Sequence, residues 1–176
     1  GAAGAIRIDA DSLLVSNHVL QAGNTLTLSV TNSLDDGSLA DGADSVTHPN
    51  IWNVGYGINL LTRPARGGLL ATTVTNTGLP GAKVPNSWAG LDRGPVAAGF
   101  SNNGALGRLI LDGLTNTTRF EFTPVTGSNA LYVDCLELRN HMTKLDGSGN
   151  VANLLFQPGM KIYYAQLIIN GVSWAE

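Results

Sequence analysis

Charged side chains are scarce in this sequence, and the basic ones are not clustered. Asp, Glu, Lys and Arg make up 13% of the 176 residues, with a net charge of −3, whereas soluble domains average about 25% charged residues. The basic residues are scattered, and only Arg63 and Arg66 lie close together. Nucleic-acid binding needs clustered Lys and Arg, because these displace counterions from phosphates. We therefore expect no nucleic-acid partner.

Cysteine is nearly absent, and long apolar runs are absent altogether. The single cysteine, Cys135, excludes an internal disulfide, and its strand-like neighbours predict a small buried hydrophobe. No apolar run approaches the ~20 residues of a membrane-spanning helix, and no charged-then-apolar signal peptide begins the chain. We therefore expect no membrane insertion. The small-residue start, GAAGAI, is typical of a processed or excised end.

The motifs of common enzymes are also missing. The sequence has no G-x-S-x-G, no Walker A motif and no dinucleotide fingerprint, and its histidines lack the spacing of zinc ligands. Carboxylates that a glycoside hydrolase would need are present, but sequence spacing brings no two of them together: Asp92, Asp112, Glu121, Asp134 and Glu137. We therefore predict a protein that is not an enzyme.

The sequence consists mainly of short segments of alternating apolar and polar residues, which are separated by Gly, Asn, Asp and Pro. They predict strands at IRIDA, TLTLSVT, GLLATTVTNT, GRLILDGL and TRFEFTPV. Gly55 and Gly57 interrupt IWNVGYGINLL, which indicates a bulge or a close backbone approach. Residues Ala130 to Arg139 are predicted as a strand, with a helix as the alternative, because the apolar positions change phase within them.

The last segment, KIYYAQLIINGVSWAE, is apolar on both faces, so we expect its strand to be covered on both sides. Asn170-Gly171 supplies the two positive-φ positions of a type I′ turn, so a hairpin is predicted here. Its second arm stops at Glu176, which indicates that the natural chain continues.

About eight to ten short strands predict one all-β domain over residues 1–176. An antiparallel β-sandwich, jelly-roll-like, is the first expectation. The alternative is a parallel β-helix, in which coils of about 20 residues stack on one another. The beginning of the chain fits the β-helix well, but segment lengths become irregular from Ala71 onward.

Four aspartates, Asp35, Asp36, Asp41 and Asp44, lie in one stretch of Asp, Gly, Ser and Ala. Carboxylates are what Ca²⁺ requires, but the EF-hand order and the G-G-x-G-x-D repeat are absent. Asp and Gly are also ordinary turn residues. We expect a solvated loop between strands and no cofactor, with a calcium site as the alternative.

The aromatic residues are the remaining candidates for ligand contacts. Trp88 lies in VPNSWAGLDRGP, a Pro- and Gly-rich stretch that also carries Asn86, Asp92 and Arg93. A tryptophan with such hydrogen-bonding neighbours predicts a sugar-binding site, since loops concentrate binding residues. The competing interpretation, which we favour, is that Trp88 fills the core. Other aromatic residues that would extend a stacking platform are Trp52, Tyr56, Tyr132, Tyr163, Tyr164 and Trp174.

The stretch AIRIDADSLLVSNHVLQAGNTLTLSVTNSL resembles the repeats of filamentous-haemagglutinin-type surface proteins. The later stretches GRLILDGL, NALYVDCLELRN and PGMKIYYAQLIINGVSWAE are similar to recurring modules of very large secreted bacterial proteins. The resemblance implies an extracellular or cell-surface location and a structural or adhesive role in a longer chain. It supplies no catalytic residue.

The expected partners are neighbouring modules of the same or a like chain, because an open sheet edge presents unpaired backbone groups. The alternative function is a carbohydrate-binding module of a polysaccharide-degrading enzyme, for which the partner would be a polysaccharide.

Overall fold

Strands account for nearly all of the regular structure. The computed structural model describes residues 4–15, 18–35, 50–78, 80–143 and 145–174. Within them the strands are β1 (Ile6–Leu14), β2 (Val19–Ala22), β3 (Leu26–Asp35), β4 (Asn50–Val54), β5 (Ile58–Leu60), β6 (Arg66–Asn76), β7 (Lys83–Trp88), β8 (Leu106–Asp112), β9 (Arg119–Pro124), β10 (Ala130–Arg139), β11 (Leu154–Phe156), β12 (Lys161–Ile169) and β13 (Val172–Trp174). Single 3-10 turns lie at Ala97–Phe100 and Asn140–Thr143. The all-β prediction is confirmed.

Each strand from β1 to β10 pairs with the strand two positions further along the chain. One stack has the order β1-β3-β5-β7-β9-β11, and all of its pairings are parallel. The other has the order β2-β4-β6-β8-β10-β12, also all parallel. One strand of the first stack and the next strand of the second form a coil, and successive coils lie side by side. The end of β3 also pairs with the start of β6, which joins both stacks into one curled sheet.

The antiparallel β-sandwich is not confirmed. Among the strands of the described residues only β12 and β13 pair antiparallel. Apart from the predicted hairpin at Asn170-Gly171, the turn residues of the described strands lead the chain across to the other stack. The irregular segment lengths from Ala71 onward reflect connections of different length, such as residues 89–105, rather than a change of pairing.

One hydrophobic core lies between the two stacks. It contains the inward side chains of both, among them Leu28, Leu60 and Phe120 from the first stack and Trp52 and Leu109 from the second. Inward residues of adjacent coils are in register, so Leu28 lies opposite Leu60. Full burial of such a side chain contributes about 1.5–3 kcal/mol. The core therefore runs along the stack as rows of apolar residues.

Glycines let the chain turn tightly between the stacks. A Cβ atom on Gly55 would lie 2.4 Å from the carbonyl oxygen of Gly23, and one on Gly57 would lie 2.3 Å from that of Pro85. The predicted close backbone approach at Gly55 and Gly57, which lie between β4 and β5 in the sequence, is therefore confirmed. Asn170 and Gly171 have φ values of 48° and 80°, as the predicted hairpin turn requires.

The end of the fold departs from one prediction. The strand β12 is not covered on both sides, since Lys161, Tyr164, Ala165 and Gln166 are exposed. One edge of β12 pairs with β10, and the other edge pairs with β13 only over Leu167–Ile169. Its apolar residues on both faces reflect its position at the end of the stack, where one face packs on the core and the other meets a surface cleft.

Candidate binding site

The structure places Trp88 and Asn86 in the interior. They belong to β7, which the sequence analysis took for a loop because of its Pro and Gly neighbours. Trp88 is 2% exposed, and its indole Nε1 donates to the carbonyl oxygen of Gly104 at 3.0 Å. Asn86 is 1% exposed. Their side chains therefore stabilise the core, as favoured for Trp88, and present no surface to a ligand in this conformation.

Asp92 and Arg93 lie on the outside, in the connection 89–105 between β7 and β8. Asp92 Oδ1 accepts hydrogen bonds from the Gly94 amide and the Tyr163 hydroxyl, both at 2.9 Å, and its Oδ2 accepts from Lys161 Nζ at 2.6 Å. These donors, Lys161 first, lower the pKa of Asp92 to about 2. The Asp92 carboxylate therefore holds the connection against β12.

The Arg93 guanidinium also forms hydrogen bonds that hold the connection 89–105 in place. Its Nη1 donates to the carbonyl oxygens of Ala98 and Ser101, at 2.7 and 2.9 Å. The backbone amide of Arg93 donates to the Tyr132 hydroxyl at 2.8 Å. Of the four residues predicted to bind a ligand together, two are interior and two are on the surface, and both surface residues are engaged by neighbours.

The acidic stretch is only partly described. Asp35 ends β3, while Asp36, Asp41 and Asp44 lie outside the described residues. The residues that the structure describes contain no group of three or more His, Cys, Asp or Glu side chains that could hold a metal ion. The calcium alternative therefore stays a prediction.

The connection 89–105 is fixed from within. Asn103 is fully buried; its amide nitrogen donates to the carbonyl oxygens of Leu91 and Gly99, and its oxygen accepts from the Leu91 amide at 2.8 Å. Gly99 lies directly on the ring of Tyr132, where a Cβ atom would come within 1.9 Å of it. This segment is therefore packed against β10 at a position that only glycine fits.

Three aromatic rings form a row under this segment. Tyr132 and Tyr163, which are paired in register on β10 and β12, stack with ring centroids 4.8 Å apart. Phe100 meets the edge of Tyr132 at 5.4 Å. The Tyr132 hydroxyl donates to the Gly94 carbonyl at 2.8 Å, and burial raises the pKa of this tyrosine. We call Phe100, Tyr132 and Tyr163 the aromatic row.

A cleft of about 480 Å³ lies beside the aromatic row, within the range of ligand pockets. It is lined on one side by the connection, on the other by β10 and β12, and its wall is mostly apolar. The lining residues are Pro95, Val96, Ala97, Phe100, Tyr132, Asp134, Tyr163, Tyr164 and Ala165.

Asp134 is the one acidic residue in this wall. It is exposed, and no described residue forms a hydrogen bond or an ion pair with it. Its neighbours on the adjacent strands are small, since the pairings on either side of it place it between Gly107 of β8 and Ala165 of β12. The carboxylate therefore stands in open space at the end of the aromatic row.

A second charged group lies further along the same strands. The Glu137 carboxylate is 4% exposed and receives hydrogen bonds from Arg108 and from Arg139, whose Nε is at 2.6 Å. Burial raises the pKa of Glu137, but the two arginines lower it further, so it lies below its usual value. This group joins β8 to β10 and keeps the carboxylate ionised.

Part of this site was predicted from the sequence. Tyr132, Tyr163 and Tyr164 were candidates for a stacking platform, but the main predicted ligand contact was Trp88. The cleft depends on the pairing of β10 with β12, which are separated by a turn and a further strand. No local pattern in the sequence predicts that register.

A comparison with models of protein families, with curated proteins and with solved structures found no match. Among the described residues no helix is long and apolar enough to cross a membrane.

Proposed function

We propose that this chain is a non-enzymatic structural module of a larger extracellular or cell-surface protein, built as a short parallel β-helix, and that it stacks on modules of the same or a like chain. The observation that carries this proposal is the open strand edge on each side of the stack. Among the strands that the structure describes, β1 pairs with β3 alone and β11 pairs with β9 alone. Such edges present backbone groups to another strand.

The two open edges are complementary in direction and in chemistry. Because every strand of the first stack is parallel to the next, a β1 from another copy would continue the ladder beyond β11. Ile6 and Ile8 of β1 pack partly against the core, as does Leu154 of β11. Phe156 of β11 is 46% exposed although its ring stacks on Phe122. Apolar side chains at an open edge favour burial by a further coil.

The titratable groups support a non-enzymatic role. Every described carboxylate with a shifted pKa has it lowered: Asp9, Asp92, Glu121, Glu137 and Asp146. A general acid needs a carboxyl group with a raised pKa near the working pH. The shifted carboxylates therefore behave as ionised hydrogen-bond acceptors that hold loops and strands. The scarcity of charge and the abundance of Thr, Asn and Gly support the extracellular location.

The carbohydrate-binding alternative was based on Trp88, Asn86, Asp92 and Arg93, and two of these, Trp88 and Asn86, lie in the interior. We therefore place it second. Binding of the protein to a panel of polysaccharides tests it.

The test is association measured by sedimentation velocity and electron microscopy over a range of concentrations. We expect linear oligomers whose size grows with concentration, since head-to-tail contacts do not close. Phe156→Lys, which places a charge on the β11 edge, should shorten them at least tenfold. Ala65→Lys, at an exposed position of the connection between β5 and β6 in the middle of the stack, is the matched control and should leave them unchanged. Circular dichroism checks that both variants fold. A chain that stays monomeric at millimolar concentration would contradict the proposal.

A further inference from the structure

We propose that the cleft beside the aromatic row binds an alkylated ammonium group, with the Asp134 carboxylate as its counter-ion. This site is independent of the stacking proposed above, because it lies on the outer face of β10 and β12 rather than at the β1 and β11 edges.

The walls of the cleft suit a cation that carries apolar carbon. Phe100, Tyr163 and Tyr164 supply accessible aromatic surface, while Tyr132 is fully buried, and Val96 and Ala97 supply aliphatic surface on the opposite side. A cation over an aromatic face is attracted by the negative ring quadrupole, and methylated ammonium groups also gain from leaving water. The volume of about 480 Å³ holds a small molecule or one long side chain.

The polar groups around the cleft leave two described side chains unpaired, the Asp134 carboxylate and the Tyr164 hydroxyl. The hydroxyls of Tyr132 and Tyr163 are already bonded to the Gly94 carbonyl and to Asp92. The two nearby cations are also engaged, Lys161 by Asp92 and Arg93 by two backbone carbonyls. Asp134 remains as an unpaired negative charge in the lining. The side chains therefore offer one charged acceptor and a single neutral hydroxyl.

This inventory distinguishes a cation from a sugar. A sugar ring carries several hydroxyls that act both as donors and as acceptors, so its recognition needs several donors from the protein, whereas the Tyr164 hydroxyl is the single free side-chain donor among the described lining residues. An alkylated ammonium group needs a negative charge and aromatic faces, which are the two features present here. A carbohydrate is therefore the competing occupant that the experiment must separate from the cation.

The site is formed before any ligand arrives. Asn103, Gly99 and Arg93 fix the connection 89–105, and the Asp92–Lys161–Tyr163 contacts tie it to β12. Small residues at Gly107 and Ala165 keep the space around Asp134 open. A preformed cleft loses little conformational entropy on binding.

The experiment is a titration of the protein followed by two-dimensional NMR, with choline as the probe and 3,3-dimethylbutan-1-ol as its neutral carbon analogue. We expect choline to shift the amide signals of β10, β12 and residues 95–100, and to bind at least fivefold more tightly than the analogue. A peptide with a trimethylated lysine is a second arm, which distinguishes a side chain of a partner protein from a free small molecule as the source of the group.

Two variants locate the site. Asp134→Asn should weaken choline binding about tenfold, which corresponds to about 1.4 kcal/mol, while Asp11→Asn, which removes the same charge from the exposed strand β1, should not change it. Ala165→Leu, which fills the space next to Asp134, should abolish binding. Three results would each overturn the proposal. Choline and its analogue bind equally well, or neither ammonium probe binds. In the third, the protein binds only members of a polysaccharide panel, and Ala165→Leu abolishes that binding.

Discussion

Buried asparagines are the residue-scale feature that the sequence did not reveal. Asn50, Asn76, Asn86, Asn103 and Asn153 are each at most 2% exposed. Asparagine is usually a turn or surface residue, and the sequence analysis read it in that way. In this fold the amide oxygens of Asn50, Asn86 and Asn103 accept from backbone N–H groups of a neighbouring coil or connection. They satisfy main-chain groups at places where a strand ends or turns.

Asn86 forms three such hydrogen bonds, as does Asn103. Its Oδ1 accepts from the Ile58 amide at 3.1 Å and from Asn76 Nδ2 at 2.9 Å, while its Nδ2 donates to the Val84 carbonyl at 3.0 Å. Asn86→Ala leaves the Ile58 N–H and the Asn76 amide buried without an acceptor, and each such group costs about 1–3 kcal/mol. We expect the free energy of unfolding to fall by about 2 kcal/mol or more, measured by urea denaturation.

The control for this prediction is an asparagine on the opposite face of the adjacent strand. Asn59 of β5 is half-buried and points outward, next to Ile58. Asn59→Ala should change the free energy of unfolding by less than about 0.5 kcal/mol, as is usual for surface substitutions. Equal effects of the two substitutions would show that the interior hydrogen bonds of Asn86 contribute nothing to stability.

At the scale of single elements, alternation in the sequence predicted most strands. The pattern of Leu26, Leu28 and Val30 gave β3, and that of Phe120 and Phe122 gave β9, because a half-buried strand needs one apolar face. The predicted strand Ala130 to Arg139 is confirmed as β10. Its apolar phase changes at Asp134 and Cys135, where the burial pattern is interrupted and the pairings with β8 and β12 omit Asp134. The strand β7 was missed because Pro85 and the glycines after Trp88 are typical of loops.

The connection 89–105 gives a prediction at this scale, because Asp92 ties it to β12. Its pKa is lowered from 3.8 to about 2, chiefly by Lys161. A carboxylate with a lowered pKa in the folded state stabilises the protein above its unfolded pKa, and this contribution is lost as the pH falls through the folded pKa. We therefore expect the stability difference between the wild type and Asp92→Asn to be constant above pH 5 and to shrink between about pH 4 and pH 2.

Urea denaturation at several pH values from 2 to 6 measures this difference, and the subtraction removes the contribution of the other carboxylates. A pH-independent difference for Asp92→Asn would mean that its contacts with Lys161, Gly94 and Tyr163 do not form in solution.

At the scale of the whole molecule, strand alternation did not decide the topology. Alternation indicates which face of a strand is buried, but not which strand lies beside it. A sandwich and a parallel stack therefore have the same alternating sequence pattern. The deciding facts are pairings between distant residues, such as Leu28 with Leu60 and Phe122 with Phe156. The aromatic row has the same origin, because Tyr132 meets Tyr163 only through the pairing of β10 with β12.

A stack of coils has contacts mainly between neighbours, so its stability is expected to vary along the stack. Leu60 of β5 is fully buried in the middle of the stack, while Leu167 of β12 is partly buried at its end. We expect amide hydrogen exchange to be slowest in β5 to β9 and to become faster toward β1 and β2 at one end and β11 to β13 at the other.

Two leucine truncations test this gradient by hydrogen exchange with mass spectrometry. Leu60→Ala removes side-chain packing from the centre, where such a change costs about 2–5 kcal/mol. It should accelerate exchange in all of the coils, because both halves of the stack depend on the central one. Leu167→Ala should accelerate exchange only in β12 and β13, since β13 is held by three pairings to β12. If both variants accelerate exchange uniformly, the chain unfolds as one cooperative unit and the neighbour-only picture of its stability is wrong.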